Sequence, residues 1–288
     1  MRIIKLNRDE LWNGLESTNR KTSLCNGIIR DWVSWQLSGQ RYETEWSALK
    51  ACLKMLSPSG ESLSAGQPKR INVQDEREIP TIVMPYGSVA LVHSSAGIQR
   101  IIGLAYTLVW AWHRHIRNAE LLRKEPQRNL VLIVDEVEAH LHPRWQKTIA
   151  PALMNAVNSL SSFISPQIHI ATHSPIVMAS VETIFDENTD DFHHLKLVDR
   201  EVVLEELTFH KRGTADSWLM SEAFDETVPR SNFGEEAIQD ALDLQLVDEP
   251  SKTAVLEVDS RLRKYLGEMD EFWPRWTYFF KKHTSNKI

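Results

Sequence analysis

The sequence is short of cysteine, of net positive charge and of long apolar runs, and each shortage removes a class of protein. Its two cysteines, Cys25 and Cys52, stand in no metal-binding spacing. That argues against a disulfide-built secreted domain and for a reduced, cytoplasmic compartment. The formal net charge is -6, whereas a bulk electrostatic nucleic-acid binder is basic. The most apolar stretch, Ile101 to Trp112, is too short to cross a bilayer, and MRIIKLNRDELW lacks the apolar core of a signal peptide. A soluble protein with no membrane partner is expected. What the chain does have is bulk: 288 residues with 42% hydrophobic content suffice for one large or two small packed domains.

Along the chain the character changes twice. Residues 1–80 read as mainly helical, with Trp32, Trp35, Trp46 and Leu49 at helical spacings and a Ser/Gly/Pro loop, SPSGESLSAGQPK, at 57–69. Residues 81–212 alternate. SVALV (88–92) reads as a short strand and Gly97 to Arg117 as a buried helix. Asn129 to Val134 is a continuous apolar run, as in a parallel strand covered on both faces. Pro143 to Leu160 reads as a helix with proline in its first turn. QIHIAT (167–172) is another strand, and 194–209 a hairpin or strand pair. From 213 to 288 the pattern is helical again, ending in the aromatic FWPRWTYFFKK, a packed terminal helix or a partner surface. Strand, helix, strand, helix, strand implies an α/β core with a parallel sheet.

Three segments carry candidate chemistry. LVLIVDEVEAHLHP (130–143) places Asp135 and Glu136 at the C-terminal end of a buried strand, the edge where open α/β sheets bind ligands. One carboxylate there suits Mg²⁺, and the neighbouring one can orient or deprotonate an attacking water. The plainer alternative is an acidic strand exit. ATHSP (171–175) ends the next strand with His173, whose ring N–H suits a terminal phosphate; the alternative is a structural histidine. SSAGIQR (94–100) opens a helix with Ser95 and Gly97, a hydroxyl and a close backbone approach for an anion at a helix N-terminus. The alternative is an ordinary N-cap by Ser94 or Ser95.

In this order the segments resemble the ABC ATPase family, and more closely the SMC-like and AAA-type ATPases that share D-E-x-E-x-H-L-H-P. AYTLVWAW (105–112), RGTADSWLMSEAF (212–224) and EFWPRW (271–276) are similar to segments of the same group. The resemblance implies the C-terminal lobe of a P-loop NTPase core with flanking helical segments. It implies a signature at Ser95, Ala96 and Gly97, with SSAGI standing for LSGGQ. It implies Walker B at Asp135 (metal) and Glu136 (catalytic). A D-loop from Glu138 to Pro143 would bring His140 to the nucleotide across a dimer interface, and His173 would be the catalytic switch histidine. ATP and Mg²⁺ are the implied ligands, a head-to-tail self-dimer the implied assembly, and DNA or an effector protein in bacterial defence the implied partner. One departure is large: no G-x-x-x-x-G-K-[ST] occurs, and Lys21–Thr22–Ser23 lacks the preceding glycines. The chain therefore reads as the later part of a longer protein, a split-gene product or a degenerate copy. Two rivals stand beside it. One is a non-catalytic interaction module on the same scaffold. The other is a zinc hydrolase using Glu138, His140, His142 and His173.

Overall fold

The computed structural model describes residues 4–17, 22–58, 62–224 and 230–284. Contacts divide the chain into two compact units, residues 1–218 and 219–288.

The first unit opens with α1 (Arg8–Asn13), a short pairing of β1 (Leu15–Glu16) with β2 (Ser23–Cys25), then α2 (Ile28–Leu37) and α3 (Glu43–Leu56). Asn7 starts α1 with a reciprocal capping box to Glu10. Next come β3 (Ser64–Lys69), β4 (Ile79–Met84) and β5 (Gly87–Ala90), an antiparallel sheet in that order. This corrects the loop expected over 57–69, of which residues 59–61 lie outside the described residues. SAGQPK is a strand because Gly66 fits a crowded place. A Cβ there would stand 2.4 Å from Thr81 Oγ1 and 2.7 Å from Ser88 Oγ. Pro68 and Pro80 sit where the β3–β4 register shifts, so neither breaks a ladder bond. The strand expected at 88–92 is shorter and yields to a 3-10 turn, Leu91–His93.

A long helix follows, α4 (Ala96–Leu121), then β6 (Asn129–Val134), α5 (Pro143–Gln146), α6 (Ile149–Leu160), β7 (Ser165–Ile170) and α7 (Pro175–Val181). The single helix expected over 143–160 is two. Pro151 has no N–H for the Lys147 carbonyl and its ring would strike it, so the chain restarts at Ile149. β6 and β7 pair in parallel, residue for residue, from Asn129↔Ser165 to Val134↔Ile170. One face of this pair, with Leu130, Leu132, Val134, Ile168 and Ile170, joins the core built on α3, α4 and α6. The other face is open: Val131 is 60% and Ile133 74% exposed. The expectation of a strand covered on both faces is thereby corrected. The apolar run marks a strand type that is normally buried, but these residues supply one covering layer. β8 (His193–Val198) and β9 (Glu201–Glu206) form a hairpin through Asp199 and Arg200, both at positive φ, as a two-residue type I′ turn requires. α8 (Ala215–Leu219) ends the series.

Both cysteines are buried and free; burial pushes the Cys52 thiol up to about 11, so it stays protonated. Beneath α2, Tyr106 Oη donates to Asp31 Oδ2 at 2.8 Å and Asn26 Nδ2 to Asp31 Oδ1 at 2.8 Å. Burial nevertheless raises the Asp31 carboxyl above its ordinary range. A raised acid binds its proton more tightly in the folded state. Its contribution to stability is complete below the ordinary carboxylate value and is lost as pH rises through the folded value. Asp31→Asn is expected to remove that slope, gaining on the wild type as pH climbs through the acidic range. Urea midpoints at a series of pH values read this directly, and parallel curves for the two proteins would refute it.

The second unit contains α9 (Asn232–Gln245), α10 (Lys252–Tyr265) and α11 (Trp273–Thr284), packed on Ala237, Ala241, Val255, Leu262 and Trp276. Trp276 Nε1 donates to the buried Asp259 at 2.9 Å. The aromatic tail thus includes a core-forming helix. Arg230 and Asp270 make a two-bond ion pair at 2.8 and 3.0 Å, and the guanidinium holds the Asp270 carboxyl below its usual range. No described helix in either unit is long and apolar enough to cross a membrane.

Candidate functional site

The exits of β6 and β7 form one edge. Val134 and Ile170 are register partners, and Ala171 N–H donates to the Val134 carbonyl at 2.9 Å, so the pairing continues one residue past β7. Asp135 follows Val134 directly and His173 lies three residues beyond Ile170, on strands that neighbour at about 4.8 Å. Asp135, Glu136, His140 and His173 are all exposed. Among the described residues nothing donates a hydrogen bond to the carboxylates of Asp135 or Glu136. Free carboxylate oxygens at a strand exit fit a hydrated divalent cation, which takes one or two protein carboxylates and keeps its waters.

Between the two strands the chain makes a tight turn, residues 135–141. Glu136 (φ 47°) and His140 (φ 63°) both take left-handed backbone, uncommon for residues with a Cβ and enriched at functional sites. Two apolar side chains, Val137 and Leu141, are buried beneath it and anchor it. Three further contacts hold it. Arg100, in the first turns of α4, donates through Nη2 to the carbonyls of Asp135 at 3.0 Å and Glu136 at 2.7 Å. Gly97 packs so closely that a Cβ would lie 2.6 Å from the His140 carbonyl oxygen. Glu138 accepts from Thr172 Oγ1 and from the His173 N–H, both at 2.7 Å. The structure therefore gathers Ser95, Gly97, Asp135, Glu136, His140 and His173 into one surface patch around this turn.

Ser95 is the N-cap of α4, its hydroxyl oxygen accepting from Ile98 N–H at 3.4 Å. The cap alternative thus holds, and it leaves the hydroxyl hydrogen free to donate outward. Below the patch, Gln146 ties two pieces together. It donates to the Leu141 carbonyl at 2.9 Å and accepts from the buried Ser174 hydroxyl at 2.7 Å. Ser174 and Pro175 then start α7 as cap and first-turn proline.

Among the described residues no three His, Cys, Asp or Glu side chains converge to hold a metal. Two of the four residues in the zinc set proposed from sequence are engaged elsewhere. Both Glu138 oxygens bond the exit of β7, and His142 Nδ1 caps α5 by accepting from Arg144 N–H at 3.2 Å. Arg100 is a positioning residue that motif reading passed over; Glu138, read there as the start of the D-loop and as a zinc candidate, is a second. The signal for Arg100 was its place within SSAGIQR, and for Glu138 its place inside the acidic exit itself.

Residues 66–178 match the AAA ATPase domain family, a stretch that includes every one of these side chains. A 51-residue stretch is 39% identical to the Retron Vc95 probable ATPase of Vibrio cholerae serotype O1 biovar El Tor, covering 18% of this chain and 9% of that protein. Over 203 residues the chain is 26% identical to Septu protein PtuA of Bacillus mycoides (strain KBAB4), covering 67% of this chain and 26% of that one. The chain thus spans about a quarter or less of the length of these relatives. A solved chain from work on ATP-driven dimerization and DNA-stimulated activation of SMC ATPases superposes over 60% of this chain and 89% of its own. Its TM-score is 0.38 and its identity 14%.

Proposed function

We propose that the patch at the ends of β6 and β7 is half of an ATP-hydrolysing site. Asp135 holds Mg²⁺, which neutralises phosphate charge when bound, and Glu136 orients and deprotonates the attacking water. His173 donates a ring N–H to the terminal phosphate. In a head-to-tail pair, Ser95 and Gly97 of the facing copy donate hydroxyl and backbone N–H to the same phosphate at the N-terminus of α4, and His140 lines the seam. The phosphate-cradling loop comes from polypeptide outside these 288 residues. The assembly works in bacterial defence, as the Septu and retron relatives suggest, closing on ATP to act on DNA or an attached effector protein. A cytoplasmic location goes with that role. The observation that carries this reading is the register of β6 against β7, which sets two unpaired carboxylates and an imidazole on one edge.

The missing G-x-x-x-x-G-K-[ST] is the observation that favours a second reading, a binding module on the same scaffold without turnover. One experiment separates them. The protein is tagged in its own gene and isolated with whatever it binds, then assayed for ATP turnover. Turnover that needs Mg²⁺, stops on adding EDTA and falls with Asp135→Asn is expected. Turnover indifferent to both, or none at all in the isolated assembly, rejects the enzymatic reading.

A further inference from the structure

Among the described residues, nothing covers the apolar face of the β8–β9 hairpin. Leu195 pairs with Leu204 and Leu197 with Val202, so alternation puts all four on one face. They are 63%, 61%, 72% and 70% exposed. The opposite face is mixed, with Lys196 against Val203 and Val198 against Glu201. The base of the ribbon is fixed to its body. Leu207 N–H donates to the Phe192 carbonyl at 2.9 Å, and the buried Phe209 ring stacks on Phe185 at 3.9 Å. A contiguous apolar patch of this kind marks an interaction surface.

The charges at its two ends say what fits it. On the apolar face the base carries His193 opposite Glu206, and the tip is Asp199–Arg200. We propose that this face is covered by the same face of a second copy of the chain, packed base to tip about a two-fold axis. An axis lying between the ribbons and perpendicular to the strands turns one ribbon end for end while keeping each strand on its own side. Glu206 then meets the partner's Arg200, and His193 meets the partner's Asp199, so all four end contacts join acid to base. Base-to-base packing also matches charges, but it crowds the two bodies at one end of the ribbons. The contact is isologous, one patch used by both copies. The four apolar side chains fall well short of the roughly 1,000 Å² of buried surface that a stable interface needs. The association is accordingly weak, with Kd on the order of 10⁻⁵ M. It is separate from the nucleotide sandwich and does not depend on it.

The test is sedimentation equilibrium of the full 288-residue chain without nucleotide, across concentrations bracketing that constant. A reversible monomer–dimer equilibrium is expected. Leu197→Glu weakens it at least about tenfold by putting a charge into the apolar centre. Arg200→Glu weakens it roughly two- to fivefold, and adding Glu206→Arg restores it. These positions are exposed, and circular dichroism verifies that each variant keeps its fold. A wild type that stays monomeric throughout overturns the proposal. So does a dimer insensitive to Leu197→Glu, and so does a double charge reversal that does no better than Arg200→Glu alone.

Discussion

Glu138→Ala is expected to cost about 3 kcal/mol of stability and to free the backbone at His173. Hydrogen bonds to a charged acceptor contribute roughly 1.5–3 kcal/mol each, and Glu138 makes two, to Thr172 Oγ1 and His173 N–H, both at 2.7 Å. Its side chain is half-buried, which shields the bonds from water. Removing it strands two donors at the exit of β7. Glu138→Gln should recover part of the loss, because its amide oxygen accepts one bond while its NH₂ faces the other donor. The checks are urea denaturation for the stability and amide hydrogen exchange for His173, which should speed up selectively against the β6–β7 ladder. A loss under about 0.5 kcal/mol with His173 exchange unchanged would show that Glu138 holds nothing.

That pair of bonds also shows where sequence reading stops. β6 was legible because NLVLIV is a strand-length apolar run followed by acids, and the strand has those bounds. β7 was legible from QIHI, and residues 194–209 as a hairpin or strand pair, of which the hairpin is what forms. Order alone put Asp135 and His173 at neighbouring strand ends. What order does not contain is partnership. SAGQPK carries a glycine and a proline and reads as part of the loop over 57–69. It is a strand because Thr81 and Ser88 leave no room for a Cβ at Gly66 and because its register shift absorbs Pro68. Pro151 was visible and splits the helix expected from 143, a local rule that the apolar periodicity of α6 obscured. The exposed face of Val131 and Ile133 is the reverse case. Its residues suit burial, and coverage is a property of neighbours rather than of the strand. Arg100 and Glu138 bind backbone atoms of distant segments, contacts that no spacing within one segment encodes.

The second large effect concerns the chemistry itself. If Glu136 deprotonates the attacking water, Glu136→Gln removes the base and little else. Glutamine has nearly the same shape and meets the same left-handed backbone at φ 47°. The bond from Arg100 reaches the residue's backbone carbonyl, at 2.7 Å, so it survives the exchange. Asp135, the proposed Mg²⁺ ligand, is likewise untouched. General-base catalysis contributes about 10²–10⁴-fold, so kcat should fall by that amount while nucleotide is still retained. Arg100→Ala provides the contrast. It spares both carboxylates and releases the turn that carries them, so its loss should be smaller and should come with weakened protection of the 135–141 amides.

The most direct test is therefore ATP turnover by the protein isolated with its natural partners, wild type beside Glu136→Gln, at saturating Mg²⁺ and ATP. A fall of at least about 10²-fold with ATP still held is the expected result. Equal rates in the two proteins would contradict the assignment of this strand edge as the hydrolytic centre.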